Sequence, residues 1–334
     1  MPEIGALLIM VVIASLAFDY INGFHDTANA IATVVSTRVL SPAQAIIMAA
    51  ALNFVGALVA QEVAKTIASG IIQTNQATQT VVLSAVIGGI VWNLITWKFG
   101  IPSSSSHALI GGLVGAGLAH GGPEVLKDTK LVEKVVIPLF ASPAAGFMMG
   151  FLLMKLITVL FANAKRYKTA KGFHYMQIAS SALMAYSHGQ NDAQKSMGII
   201  TLALVANGTL SKPEVPLWVK ISCAVVMALG TSAGGWRIMR TMGHKIIRLE
   251  PVNGFAAETA GASVIMTASH FGMPISTTHA IAGSIFGVGA SKRLSAVRWK
   301  VALSMVSAWV TTIPAAMAVG ASAYFLLRLL GIQA

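Results

Sequence analysis

The stretch Gly100-Ile-Pro-Ser-Ser-Ser-Ser-His-Ala-Leu-Ile-Gly-Gly112 returns later in the chain as Gly272-Met-Pro-Ile-Ser-Thr-Thr-His-Ala-Ile-Ala-Gly-Ser284. Gly100, Pro102, Ser104, His107, Ala108 and Gly111 match Gly272, Pro274, Ser276, His279, Ala280 and Gly283. Ser105 and Ser106 become Thr277 and Thr278, so the hydroxyls persist. Proline inside a regular helix removes a backbone hydrogen bond, so each copy predicts a helix break. The hydroxyls then stand at the start of the next helix, where Ser and Thr cap free N–H groups. Spare donors and the positive end of the helix dipole make such a start attractive to an oxyanion. One copy alone is an ordinary capped corner. Two copies predict a shared anion site from Ser104, Ser105, Ser106, Ser276, Thr277 and Thr278, lined by His107 and His279.

The surrounding chain is membrane-like. Of 334 residues, 55% are hydrophobic and 10% charged, against about 25% charged in soluble domains. Apolar runs of bilayer-crossing length, about 20 residues, fill most of the sequence. The reading is an all-α polytopic membrane protein without a separate soluble domain. The net charge of +12 does not point to nucleic acid, because the basic residues cluster in three loops. Lys165, Arg166, Lys168 and Lys171 form one, Arg237, Arg240, Lys245 and Arg248 the next, and Lys292, Arg293, Arg298 and Lys300 the third. Such loops stay in the cytoplasm. The acid-containing loops around 121–134 and 208–220 are assigned outside. The first apolar run has no Lys or Arg before Arg38, so it reads as a retained helix rather than a signal peptide. Cys223 reads as packing.

A second motif pair precedes the hydroxyl turns. Asn22-Gly-Phe-His-Asp-Thr-Ala-Asn29 and His188-Gly-Gln-Asn-Asp-Ala-Gln-Lys195 each lie between apolar runs. Their glycine and polar residues predict interrupted helices inside the membrane. Each half then reads as broken helix, plain helix, hydroxyl-tipped hairpin, long helix. The divisions are 1–162, a basic cytoplasmic linker at 163–174, and 175–334. The stretch 66–79 reads as a surface loop or as lying at the interface, and the basic stretch between Ala233 and Gly254 as a cytoplasmic loop. A hairpin adds an even number of crossings, so each half crosses an odd number of times. With the basic loops inside, the halves are inverted and both termini lie outside. Inverted repeats with broken helices are the architecture of secondary transporters.

Four acids lie in apolar segments: Asp19, Asp26, Asp192 and Glu258. Carboxylates there line polar pathways or bind cations. Asp26 and Asp192 hold equivalent places, and with Asn22, His25, Asn191 and freed carbonyls they form candidate Na⁺ sites. Asp192 also has a local ion-pair option in Lys195. Glu258 is a further candidate for cation or proton coupling, and Asp19 for support. Asn29, Gln194 and Lys195 are candidate donors to the anion.

These segments, together with Gly254-Phe-Ala-Ala-Glu-Thr259, resemble the inorganic phosphate transporter (PiT) family, bacterial type, along nearly the whole chain. The resemblance implies low-affinity phosphate uptake across the cytoplasmic membrane, driven by Na⁺ or H⁺, by a homodimer without a covalent cofactor. It also implies that a divalent metal can travel with phosphate. The departure is His25 where the second motif has Asn191. Two other transport readings stay open: a sulfate permease and a channel. An intramembrane Ser/His/Asp hydrolase is the enzyme alternative, disfavoured because its residues occur in symmetric duplicate.

Overall fold

A computed structural model describes residues 5–73 and 76–332 of the chain. Its elements are α1 (Ala6–Ser36), α2 (Pro42–Val59), α3 (Glu62–Gly70), α4 (Gln79–Phe99), α5 (Ser105–Gly121), α6 (Asp128–Leu131) and α7 (Ile137–Leu160). A second series follows: α8 (Arg166–Ala206), α9 (Leu217–Ala233), α10 (Trp236–Arg240), α11 (Pro251–His270), α12 (Thr277–Lys292) and α13 (Trp299–Leu329). The fold is all-α and membrane-spanning. Among the described residues five helical segments are long and apolar enough to cross a bilayer, and the bent pair Leu217–Ala233 with Trp236–Lys245 makes a sixth.

α1 and α8 run antiparallel through the centre. Asp19 of α1 accepts from Ser196 of α8, while the carbonyl of Ala30 accepts from Ser181. The two hairpins flank this pair from opposite ends. Along α1, Phe18 lies against Gly89 and His25 against Thr96 of the first hairpin. Further on, Asn29 meets Thr278 and Thr33 meets Glu258 of the second. Each hairpin therefore reaches only the middle of α1. Two apolar cores result, one around each hairpin.

The long helices cross over: α13 packs on α5 of the first hairpin, and α7 on α12 of the second. Both contacts are at backbone distance. A Cβ on Gly115 would stand 2.1 Å from the Met317 carbonyl oxygen, and one on Gly287 2.0 Å from that of Phe147. Small residues permit such approach in membrane proteins.

Three expectations are corrected. First, α1 and α8 run unbroken through 22–29 and 188–195. Apart from Asn22, most of their polar side chains find partners on the same or neighbouring helices, so the backbone need not unwind. Gly23 and Gly189 serve close packing instead: a Cβ on Gly189 would lie 2.3 Å from the Asn53 carbonyl oxygen, and one on Gly23 2.7 Å from that of Met227. Cation ligands at these places must then be side chains rather than freed carbonyls. Second, the basic stretch 163–174 is mostly helix, because α8 already begins at Arg166. Third, the loop reading of 66–79 and of the stretch between Ala233 and Gly254 fails in part, because both contain helix. Within 66–79, α3 buries Ile67 and Ala68, and α10 with its following turn buries Ile238, Met239 and Met242.

Candidate functional site: two helix starts meeting beside paired aspartates

The two hydroxyl turns have the same local geometry. Gly100 and Gly272 close the incoming helices at φ 64 and 65, in the left-handed region. Ser104 and Ser276 cap the outgoing ones, each accepting from the backbone N–H three residues on, His107 or His279, at 3.2 Å. Ser104 and Ser276 are thus committed to their own backbone, as capping required.

The tips touch. Ser106 Oγ donates to the Ile275 carbonyl at 2.9 Å, and the rings of His107 and His279 lie 4.9 Å apart between centroids. His279 also stacks on Trp309 at 4.1 Å, whose indole N–H donates to the Pro102 carbonyl at 3.1 Å. All six tip hydroxyls are buried. Asn29 reaches in from α1, donating to Thr278 Oγ1 at 2.9 Å with Thr277 Oγ1 at 3.3 Å. Among the described residues Ser105 Oγ, His107 Nδ1 and Asn29 Oδ1 at the tips are buried without a hydrogen-bond partner, as are both amide atoms of Asn22 elsewhere on α1. Buried polar atoms are normally paired, so this cluster holds bonding capacity suited to a polar ligand.

The aspartates lie next to the tips. Asp192 accepts from Thr277 Oγ1 at 3.3 Å and from Lys195 Nζ. His25 Nδ1 contacts Asp26 Oδ1 at 2.7 Å, and its Nε2 lies 3.0 Å from Thr96 Oγ1. Asp26, Asp192 and His188 each bring one ligand atom within 4.8 Å of the others. His188 was not picked out from the sequence. The available signal was its place four residues before Asp192, which is one helical face. Asn53 Oδ1 lies 3.1 Å from His188 Nδ1 while the Asn53 amide donates to Thr231 Oγ1 at 2.9 Å. An acceptor there fixes the proton on Nδ1 and leaves the Nε2 lone pair facing Asp192 Oδ2 at 3.5 Å. Two acceptors face each other, an arrangement that a cation or proton completes.

Other expected residues lie elsewhere. Gln194 is not at the tips. Its Oε1 accepts from the N–H groups of Val63 and Ala64 at 2.9 and 3.2 Å, capping α3. Asn191 donates to Ser269 Oγ at 2.8 Å and, like His25, ties its helix to the end of the adjacent hairpin helix. Glu258 forms a separate centre between α1, α8 and α11, accepting from Thr33, Ser180 and Gln177. Asp19 accepts from Ser196 at 2.9 Å.

Comparison with known proteins settles the family. The phosphate transporter family profile matches residues 22–320. The chain belongs to the phosphate transporter family. It is 49% identical over 327 residues to a probable low-affinity inorganic phosphate transporter of Bacillus subtilis, covering 97% of this chain and 98% of that one. It is 48% identical over 321 residues to a protein of the same description from Rhizobium meliloti, covering 96% of each. A solved structure described as the sodium-dependent phosphate transporter superposes with TM-score 0.89 at 25% identity, covering 97% of this chain and all of that one. The protein is a transporter rather than an enzyme, so the hydrolase alternative falls.

Proposed function

We propose that the protein carries inorganic phosphate across the cytoplasmic membrane by symport with Na⁺ or H⁺. The observation that carries this reading is the meeting of Ser106 and Ile275, where two helix starts converge beside Asp26 and Asp192. Phosphate needs several donors around a tetrahedral anion. Ser105, Thr277, Thr278 and Asn29, with backbone N–H groups of α5 and α12, supply them. The coupling cation binds within the cluster of Asp26, Asp192 and His188, and its charge offsets the anion's. Binding of one then favours the other, as symport requires. Glu258 is a second coupling group, on the 175–334 side. A divalent metal can accompany phosphate as part of the cargo.

The halves 1–162 and 175–334 act as inverted repeats, joined by the basic segment 163–174. Their hairpins are re-entrant from opposite faces, and both termini lie outside. The antiparallel α1 and α8 support this. The working unit is a homodimer in the bilayer. The experiment is phosphate uptake into proteoliposomes, with Na⁺ and pH gradients imposed separately. Uptake against the phosphate gradient under either one is expected. Downhill flux alone would mean a channel, and sulfate outcompeting phosphate would mean a sulfate permease. Labelling of Lys168→Cys and Lys300→Cys from the cytoplasmic side checks the topology, and external labelling overturns it.

A further inference from the structure

Three residues after Asp26 the chain has Asn29, and three residues after Asp192 it has Lys195. These places are equivalent, one helical turn beyond each acid on the same face. Their side chains go different ways. Asn29 turns to the second tip and donates to Thr278. Lys195 turns back and sets its ammonium on Asp192 Oδ1, with 1% of the residue exposed. A lysine ammonium is a compact monovalent point charge with three donors. On a buried carboxylate it does what a bound monovalent ion would do, and a buried carboxylate requires such compensation. Asp192 therefore has a fixed cation in direct contact, while Asp26 lies in the same cluster, within 4.8 Å of the Asp192 and His188 ligand atoms, without touching that ammonium. Asp26 has His25 beside it at 2.7 Å and no Lys or Arg in contact among the described residues.

We propose that Lys195 is a tethered counter-ion that permanently fills the cation place of the second half. Asp26, with His188 beside it, then takes the mobile coupling ion. Each phosphate is carried with one monovalent cation fewer than in a chain with asparagine at both places. This rests on the cation-coupled reading above. The difference appears in stoichiometry, because an ammonium stays with the protein while a bound ion leaves with the substrate.

The test uses the full chain in proteoliposomes, with K⁺ and valinomycin setting the membrane potential and with known Na⁺, H⁺ and phosphate gradients. The potential at which net labelled-phosphate flux reverses gives the charge moved per phosphate. Lys195→Asn is expected to move one more positive charge per phosphate than wild type. Lys195→Arg keeps the wild-type count. An unchanged count in Lys195→Asn overturns the proposal, whether the KM for phosphate shifts, as for a phosphate ligand, or does not, as for a packing pair. Where Lys195→Asn does not transport, binding is counted on purified protein, by ²²Na⁺ dialysis or by the pH change on adding phosphate. One extra equivalent in Lys195→Asn supports the proposal and equal binding overturns it. Where that variant does not fold, Lys195→Gln, which also removes the ammonium, decides in the same assay: one extra equivalent supports the proposal and equal binding overturns it. Wild type that moves no phosphate under any gradient refutes the cation-coupled reading itself, and that result needs no variant.

Discussion

Ser105→Ala separates the anion cradle from the scaffold, because the two effects have opposite signs. Ser105 is 1% exposed, and its Oγ has no hydrogen-bond partner among the described residues. An unpaired buried hydroxyl costs about 1–3 kcal/mol, so removing it leaves the unliganded protein as stable as before or more so. In the phosphate complex the same hydroxyl donates to a charged oxygen, worth about 1.5–3 kcal/mol. Its loss then raises the KM for phosphate roughly 10- to 150-fold, provided KM tracks affinity. The control is Ser104→Ala, whose hydroxyl accepts from the His107 N–H. Losing that cap lowers stability by about 1 kcal/mol. The assays are thermal unfolding in detergent and the concentration dependence of phosphate uptake in proteoliposomes. A Ser105→Ala protein that melts earlier and keeps its KM would place this hydroxyl in the framework and refute the cradle as drawn.

Asp26→Asn should abolish gradient-driven phosphate uptake while the protein still reaches the membrane; normal uptake would remove Asp26 from the coupling site. Gln194→Ala should lower stability by about 1–2 kcal/mol by uncapping α3 and leave the phosphate KM unchanged, as unfolding curves and uptake assays would report. Gly189→Ala puts a methyl 2.3 Å from the Asn53 carbonyl oxygen and forces α2 away from α8. It should cost about 1–3 kcal/mol and, by displacing Asn53 from His188, raise the coupling-ion concentration needed for half-maximal uptake.

The hairpins were legible because Pro102 and Pro274 punctuate the chain and the hydroxyls repeat in register. Nearly every long helix follows from its apolar run. The helix interruptions were misread because a Gly with polar neighbours signals a break only when nothing else can satisfy the polar groups. Here Asn53, Thr96, Thr277 and Ser269 do so from helices far away in sequence. Gln194 was misassigned for the same reason: its partners, Val63 and Ala64, lie some 130 positions earlier. Local spacing cannot reveal a contact of that range. His188 was overlooked because its counterpart in the first motif is Asn22. His and Asn exchange places between the motifs, so a comparison by position hides that each carries one of both.

The exchange of α7 and α13 between the hairpins bears on biosynthesis. The first hairpin is synthesised early, yet α13, the helix that covers α5, follows it by some 180 residues, after every other helix described above. Until then its glycine-lined flank waits in the lipid without its mate, so the N-terminal portion cannot mature as a free-standing domain in the usual order of synthesis. Truncation before Trp299 would strand that flank and mark the product for proteolysis. Two fragments parted near 163 and co-expressed could still reconstitute, since each supplies the other's missing wall.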